Sequence, residues 1–223
     1  MSCAPPLNAI MGYSEMLLNE MFGTIGSEKN KEYLGDIHAA GAHLRGLINE
    51  ILDLSRIEAG KINVNPEETD VRSAGADCVD LVRAQAADKD ISLQTNFADR
   101  LPAIHIDSRH FSQVLIKLLS NAIKFTPPGG SIRLDADTDT ERAVRIAISD
   151  TGVGIHTSAL KSVTEAFERL GDAYTRDEES TGLGLPLAKR LTEINGGTLS
   201  IDSTVGEGTV MTLRFPSTMP LVL

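Results

Sequence analysis

Residues Leu118–Gly130 read LLSNAIKFTPPGG, an apolar run that carries an asparagine and a lysine and then breaks at two prolines and two glycines. Upstream of the break, Phe111, Val114, Leu115, Leu118, Leu119 and Ala122 recur at steps of three and four. That spacing predicts a helix from about Ser108 to Lys124 with one broad buried face. Lys117, Asn121 and Lys124 stand at i, i+4 and i+7, so they project from the helix together. An asparagine on an otherwise apolar helix is costly to bury without partners. Taken alone, a satisfied cap or a surface contact is the simpler account of it.

The elements around this helix alternate without a regular strand–helix–strand repeat. A helix is expected near Val71–Ala87, followed by strand-like ISLQTNF and AIHID. After the long helix come SIRLDAD and AVRIAISD, a loop rich in glycine and charge, a helix near Leu185–Ile194, and a closing hairpin, GTLSIDSTVGEGTVMTLRFP. This order favours an α+β sandwich over a doubly wound sheet. The first part of the chain differs. Ile10, Tyr13, Leu17 and Met21 form a helical stripe, widened by Met11 and Leu18. The loop GTIGSEKN follows, and then Leu34, Ile37, Gly41, Leu44, Ile48, Ile51 and Ser55 step three and four in turn. A seam of this kind belongs to helices packed in a bundle or coiled coil. An antiparallel helical hairpin over residues 1–61 cannot bury both its faces alone, so a second copy is expected to complete a four-helix bundle. Packing on its own C-terminal domain, residues 62–223, is the plainer alternative.

Three more stretches carry candidate chemistry. ISDTGVGI places Asp150 at a strand end before Gly152 and Gly154, where backbone can approach a ligand closely and a carboxylate can accept from an amino group such as that of adenine. STGLGLPLAKRL puts Gly182 and Gly184 directly before a helix, whose first N–H groups favour phosphate. VGEGT, with Gly206 and Gly208, is equally well explained as a tight turn. Each is weak alone; their order is informative. Together with Asn121, they resemble the asparagine and glycine boxes of the Bergerat-type (GHKL) ATP-binding domain, with EAFERL, containing Phe167 and Glu168, resembling its phenylalanine box. Neither a P-loop nor a kinase-type glycine-rich strand is present. GAHLRGLINEILDLSRIEAGK, residues 41–61, resembles the second dimerisation helix and linker of sensor histidine kinases.

The resemblance covers essentially the whole chain and implies a two-helix dimerisation hairpin followed by an α/β sandwich that binds ATP and Mg2+. It implies Asn121 on the metal and phosphates, with Lys124 and Phe125 nearby, and Asp150 reading the adenine. Gly152, Gly154 and Thr209 would line the pocket, and Gly182, Leu183 and Gly184 would belong to a lid running from about His156. Such a core would phosphorylate a histidine and pass the group to an aspartate on a response-regulator receiver domain. At Lys117 the family often has a second asparagine; a lysine there either pairs with phosphate or weakens magnesium binding.

The start of the chain departs from the family. Counting back from PLNAI, Pro6–Ile10, the acceptor histidine's place is held by Met1, its acid's by Ser2 and the following threonine's by Pro5. The abrupt start favours a shortened first helix over natural degeneracy, and autophosphorylation of these residues is expected to be absent. His38, His43, His105, His110 and His156 have no visible general base and are not expected to replace it. A degenerate module that binds a signalling partner without carrying phosphate is the alternative function, and another ATPase of the same fold is a third.

Composition sets outer limits. With 223 residues, 41% hydrophobic and 23% charged, the chain is globular rather than disordered. Its formal charge of −10 argues against nucleic acid or an anionic membrane as a main partner. Cys3 and Cys78 lack metal-ligand spacing, so a reducing, cytoplasmic setting is the simpler expectation, with a membrane-anchored parent left open.

Overall fold

The computed structural model describes residues 4–21, 23–160, 162–164 and 182–217. The chain divides into two compact units, Met1–Glu58 and Ala59–Leu223.

In the first unit α1 (Ala4–Leu18) and α2 (Glu28–Glu58) form an antiparallel hairpin. Ser14 Oγ lies 3.2 Å from His38 Nδ1, and Lys31 Nζ lies 2.8 Å from Glu20 Oε1 near the turn. Leu7, Met11 and Ser14 of α1 are buried. Gly41 of α2 meets this face: a methyl group placed on it would lie 3.0 Å from Met11 Cγ and 3.8 Å from Leu7 Cδ1. The sequence offers α1 two adjacent apolar stripes, and the close approach at Gly41 selects Leu7–Met11–Ser14. The other stripe, Ile10–Tyr13–Leu17–Met21, is exposed in the single chain, with Tyr13 at 67% and Met21 at 64%. The seam of α2 splits in the same way. Gly41 is buried and Leu34 and Ile48 half-buried, whereas Ile37, Leu44 and Ile51 are exposed. Ser55, expected to end the seam, is exposed, and Leu54 and Ile57 are buried in its stead.

The second unit is a two-layer sandwich. Its five-stranded sheet has the order β2 (Ser92–Phe97), β4 (Ser131–Thr138), β5 (Val144–Asp150), β7 (Gly208–Phe215), β6 (Thr198–Thr204). β2 runs parallel to β4 and every other neighbour pair is antiparallel. β1 (Glu67–Thr69) and β3 (Ile104–Ile106) make a separate antiparallel ribbon. The helices α3 (Val71–Asp88), α4 (Ser108–Phe125) and α5 (Gly184–Ile194) lie side by side, with α3 on β2, α4 on β5 and α5 on β6. Period-two alternation sorts the sheet into its faces. Leu134, Ile146, Ile148 and Leu213 are fully buried, while the opposite face carries ion pairs such as Arg145–Asp137 and Arg133–Asp135. This is an α+β architecture: a helical region followed by a mixed-sheet sandwich. No helix among the described residues is long and apolar enough to cross a membrane.

Asp107 ties the start of α4 to its surroundings. Its carboxylate, 2% exposed, accepts from the Arg109 and His110 backbone N–H groups, the Asn65 N–H and the Arg109 guanidinium. Burial works against its charge, but these donors outweigh it and hold the carboxyl well below the usual carboxylate range. The Asp107 N–H donates to Asn195 at the end of α5, and Asn195 also lies 3.4 Å from His110 Nδ1. The beginning of α4 thus meets the end of α5, so the two helices run antiparallel and the C-terminus of α4 faces the start of α5.

Candidate functional site

Asp150 is the last residue of β5, in the row Val144, Ile146, Ile148, Asp150. The first three are buried on the helix-facing side, so strand alternation carries the carboxylate onto the core face, 9% exposed. Its cross-strand neighbours are Ile132 on β4 and Thr209 on β7. Oδ1 accepts from the Gly152 N–H at 2.8 Å and the Thr209 N–H at 3.2 Å. Among the described residues, Oδ2 has no hydrogen-bond donor. Burial pushes the carboxyl above its ordinary range, and the two backbone donors pull only partly against it. A buried acceptor oxygen without a protein partner fits a ligand that brings an N–H group.

The loop after Asp150 is pinned by backbone contacts. The Val153 N–H donates to Phe125 O, the last carbonyl of α4, and the Gly206 N–H donates to Val153 O. A methyl group on Gly152 would lie 2.6 Å from Phe125 O, one on Gly154 2.0 Å from Thr204 O, and one on Gly208 1.9 Å from Asp150 O. These glycines therefore let protein backbone approach protein backbone, and Gly154 also holds a φ of +70°. At Gly152 and Gly154 the sequence alone suggests only the approach of a ligand, and at Gly208 only a tight turn. Ser203, which sequence patterning did not single out, completes the end of the sheet. Its hydroxyl accepts from the Ile155 N–H, donates to Gly208 O and lies 2.9 Å from Thr209 Oγ1. The signal lay in the hairpin register, which pairs Ser203 with Thr209.

The last turn of α4 brings up the second set. Asn121, Lys124 and Phe125 are half-buried there, with Lys124 Nζ 5.7 Å from the Phe125 ring centre. Asn121 reaches the start of α5: a methyl group on Gly184 would lie 4.0 Å from Asn121 Nδ2. Leu183 caps α5 without a side-chain hydrogen bond, and Pro186 in the first turn has no N–H to satisfy. Gly182, with a φ of +67°, directs the chain into this helix start. Helix-start N–H groups, an amide and a lysine assemble here, which is a fitting environment for phosphate. Among the described residues no group of three His, Cys, Asp or Glu side chains is placed to hold a metal. A metal at this site would rest on Asn121 and on the ligand's own oxygens, as Mg2+ commonly does with phosphates.

The structure brings Asp150, Gly152, Gly154 and Thr209 together at the sheet end, joins Phe125 to them through Val153, and sets Asn121 against Gly184. Phe167, Glu168, most of the expected lid and Met1 lie outside the described residues. Among the histidines, His156 caps a short 3-10 turn through Ser158, and His110 is buried beside Asp107 and Asn195.

Known proteins match both parts of the chain. Residues 106–219 match the family described as histidine kinase-, DNA gyrase B- and HSP90-like ATPases, and residues 6–60 match the His Kinase A (phospho-acceptor) domain. An uncharacterised sensor-like histidine kinase of Rhizobium meliloti is 41% identical over 212 residues, covering 95% of this chain and 40% of its own length. The crystal structure of full-length ShkA with AMPPNP superposes with a TM-score of 0.80 at 27% identity, covering 96% of this chain and 44% of that one. Histidine kinase ThkA, solved with the response regulator TrrA, shares the fold at a TM-score of 0.68 and 19% identity, covering 95% and 58%. The chain spans less than half the length of its most similar curated relatives, between 21% and 40%. With a phospho-acceptor domain ahead of an ATP-binding domain, the chain belongs to the histidine kinase-, DNA gyrase B- and HSP90-like ATPase family as a histidine kinase catalytic core.

Proposed function

We propose that the second unit binds Mg-ATP between the end of β5, the end of α4 and the start of α5, and that it works as the kinase core of a two-component system. The observation that carries this reading is the Asp150 carboxylate, set on the core face with Oδ2 free of protein donors among the described residues. Adenine's amino group would donate to that oxygen. Asn121 would hold the metal together with phosphate oxygens, and Lys124 with the N–H groups from Gly182 to Gly184 would neutralise the phosphates. The metal would supply further neutralisation of charge. Phosphoryl transfer asks chiefly for positioning and charge compensation, which such a set provides. Lys117 stands one helical turn before Asn121, where a lysine would either pair with phosphate or weaken the hold on magnesium.

The hairpin is the dimerisation element in this reading, a receiver domain is the downstream partner and the cytoplasm is the setting. The ThkA–TrrA complex supports the choice of partner class. Met1 stands where the acceptor histidine would be, so these residues incubated with γ-labelled ATP and Mg2+ should stay unlabelled. Replacing residues 1–5 by a longer first helix that carries the histidine and its acid should yield acid-labile label on the chain. Continued absence of label on a chain that binds nucleotide would contradict the kinase reading.

A further inference from the structure

The last carbonyls of a helix have no partners within it and must find them elsewhere. At the end of α4 each one does. Ala122 O accepts from the Thr126 N–H and hydroxyl, and Phe125 O accepts from the Val153 N–H. Ile123 O and Lys124 O both accept from Lys89 Nζ, at 3.1 and 2.5 Å. Lys89 comes from outside the site, in the turn between α3 and β2. Its turn also supports the chain beyond α4: the Gly129 N–H donates to Asp90 O, and the Ser92 N–H donates to Gly130 O. A positive charge on two helix-terminal carbonyls is favourable by dipole and hydrogen bond together.

We infer that Lys89 is a positioning residue for the nucleotide site: its ammonium locks the last turn of α4 and, through it, Asn121, Lys124 and the loop after Asp150. This rests on the reading of the site as nucleotide-binding. Lys124, whose carbonyl Lys89 holds, is itself one of the groups assigned to the phosphates, Asn121 lies one turn before it, and Phe125 O in turn holds Val153. A shift of that turn therefore moves the phosphate side and the adenine side of the site at once. Phosphoryl chemistry depends on such placement to within fractions of an ångström.

The test is calorimetric titration of wild type, Lys89→Met and Lys89→Arg with a non-hydrolysable ATP analogue and Mg2+, at a temperature where circular dichroism shows each folded. Methionine keeps the packing of the stem and removes the charge and donors, whereas arginine can serve both carbonyls. Lys89→Met should bind about tenfold more weakly and Lys89→Arg within about threefold of wild type. A purely stabilising cap would lower the melting temperature but leave the affinity of the folded protein unchanged. Affinity of Lys89→Met within twofold of wild type therefore overturns the inference. Should Lys89→Met not fold, Lys89→Gln is titrated in its place, with a several-fold loss expected and the same overturning result. Failure of the wild type itself to bind counts against the nucleotide reading and not against Lys89.

Discussion

Asp150→Asn should abolish detectable nucleotide binding while leaving the domain folded. Asparagine keeps an oxygen for the Gly152 and Thr209 N–H groups, but its amide nitrogen replaces the oxygen that has no protein donor. A donor then faces the adenine amino group, and a buried mismatch between two donors is heavily penalised. We expect at least 100-fold weaker binding of an ATP analogue, about 2.7 kcal/mol, measured by calorimetry. Stability should move the other way. A carboxyl whose pKa is higher in the folded state favours folding below its unfolded pKa and loses that contribution as pH rises through the folded value. Asp150 is such a group, raised mainly by burial, so at neutral pH its charge costs the nucleotide-free domain stability. The melting temperature of Asp150→Asn without nucleotide should therefore equal or exceed that of wild type. For the same reason wild-type affinity should fall as pH is lowered through the raised pKa. Binding that survives in Asp150→Asn would remove the residue from the site.

Leu44→Glu combined with Ile51→Glu should convert a dimer into a monomer. Ile37, Leu44 and Ile51 lie seven residues apart along α2 and are 48%, 48% and 43% exposed, and Ile10, Tyr13 and Leu17 of α1 are 46–67% exposed. Apolar side chains exposed in series along both helices of a hairpin call for a partner. In a two-fold dimer each substitution acts twice, so four carboxylates would enter the interface. The dimer should weaken at least 1000-fold, about 4.1 kcal/mol, as read by sedimentation equilibrium. Wild type that sediments as a monomer at tens of micromolar would refute the dimer. Because the substitutions lie in the hairpin unit, nucleotide affinity should be unchanged.

The second unit was largely legible because its patterning obeys simple periods. The alternation of β4, β5 and β7 and the broad stripe of α4 each leave one way to bury their apolar side chains. The hairpin was less so. Ile10 and Met11 are neighbours in sequence, and both lie on apolar stripes. Which stripe packs inward depends on Gly41, thirty residues away, and on a contact that periodicity does not record. The glycines of the loop after Asp150 suggest ligand access by sequence, yet their nearest neighbours are Phe125 and Thr204 backbone atoms, a tertiary fact. Ser203 and Lys89 carry no local motif. Their roles arise from strand register and from the meeting of two turns, which become visible only once the sheet and helices are assembled.

Calorimetric titration of the chain with a non-hydrolysable ATP analogue, with and without Mg2+, decides whether the ends of β5 and α4 with the start of α5 form an ATP site. Saturable binding at a single site per chain, strengthened by Mg2+ through Asn121 and the phosphates, is the expected result. Absence of binding heat in both conditions, for a protein shown to be folded, would contradict it.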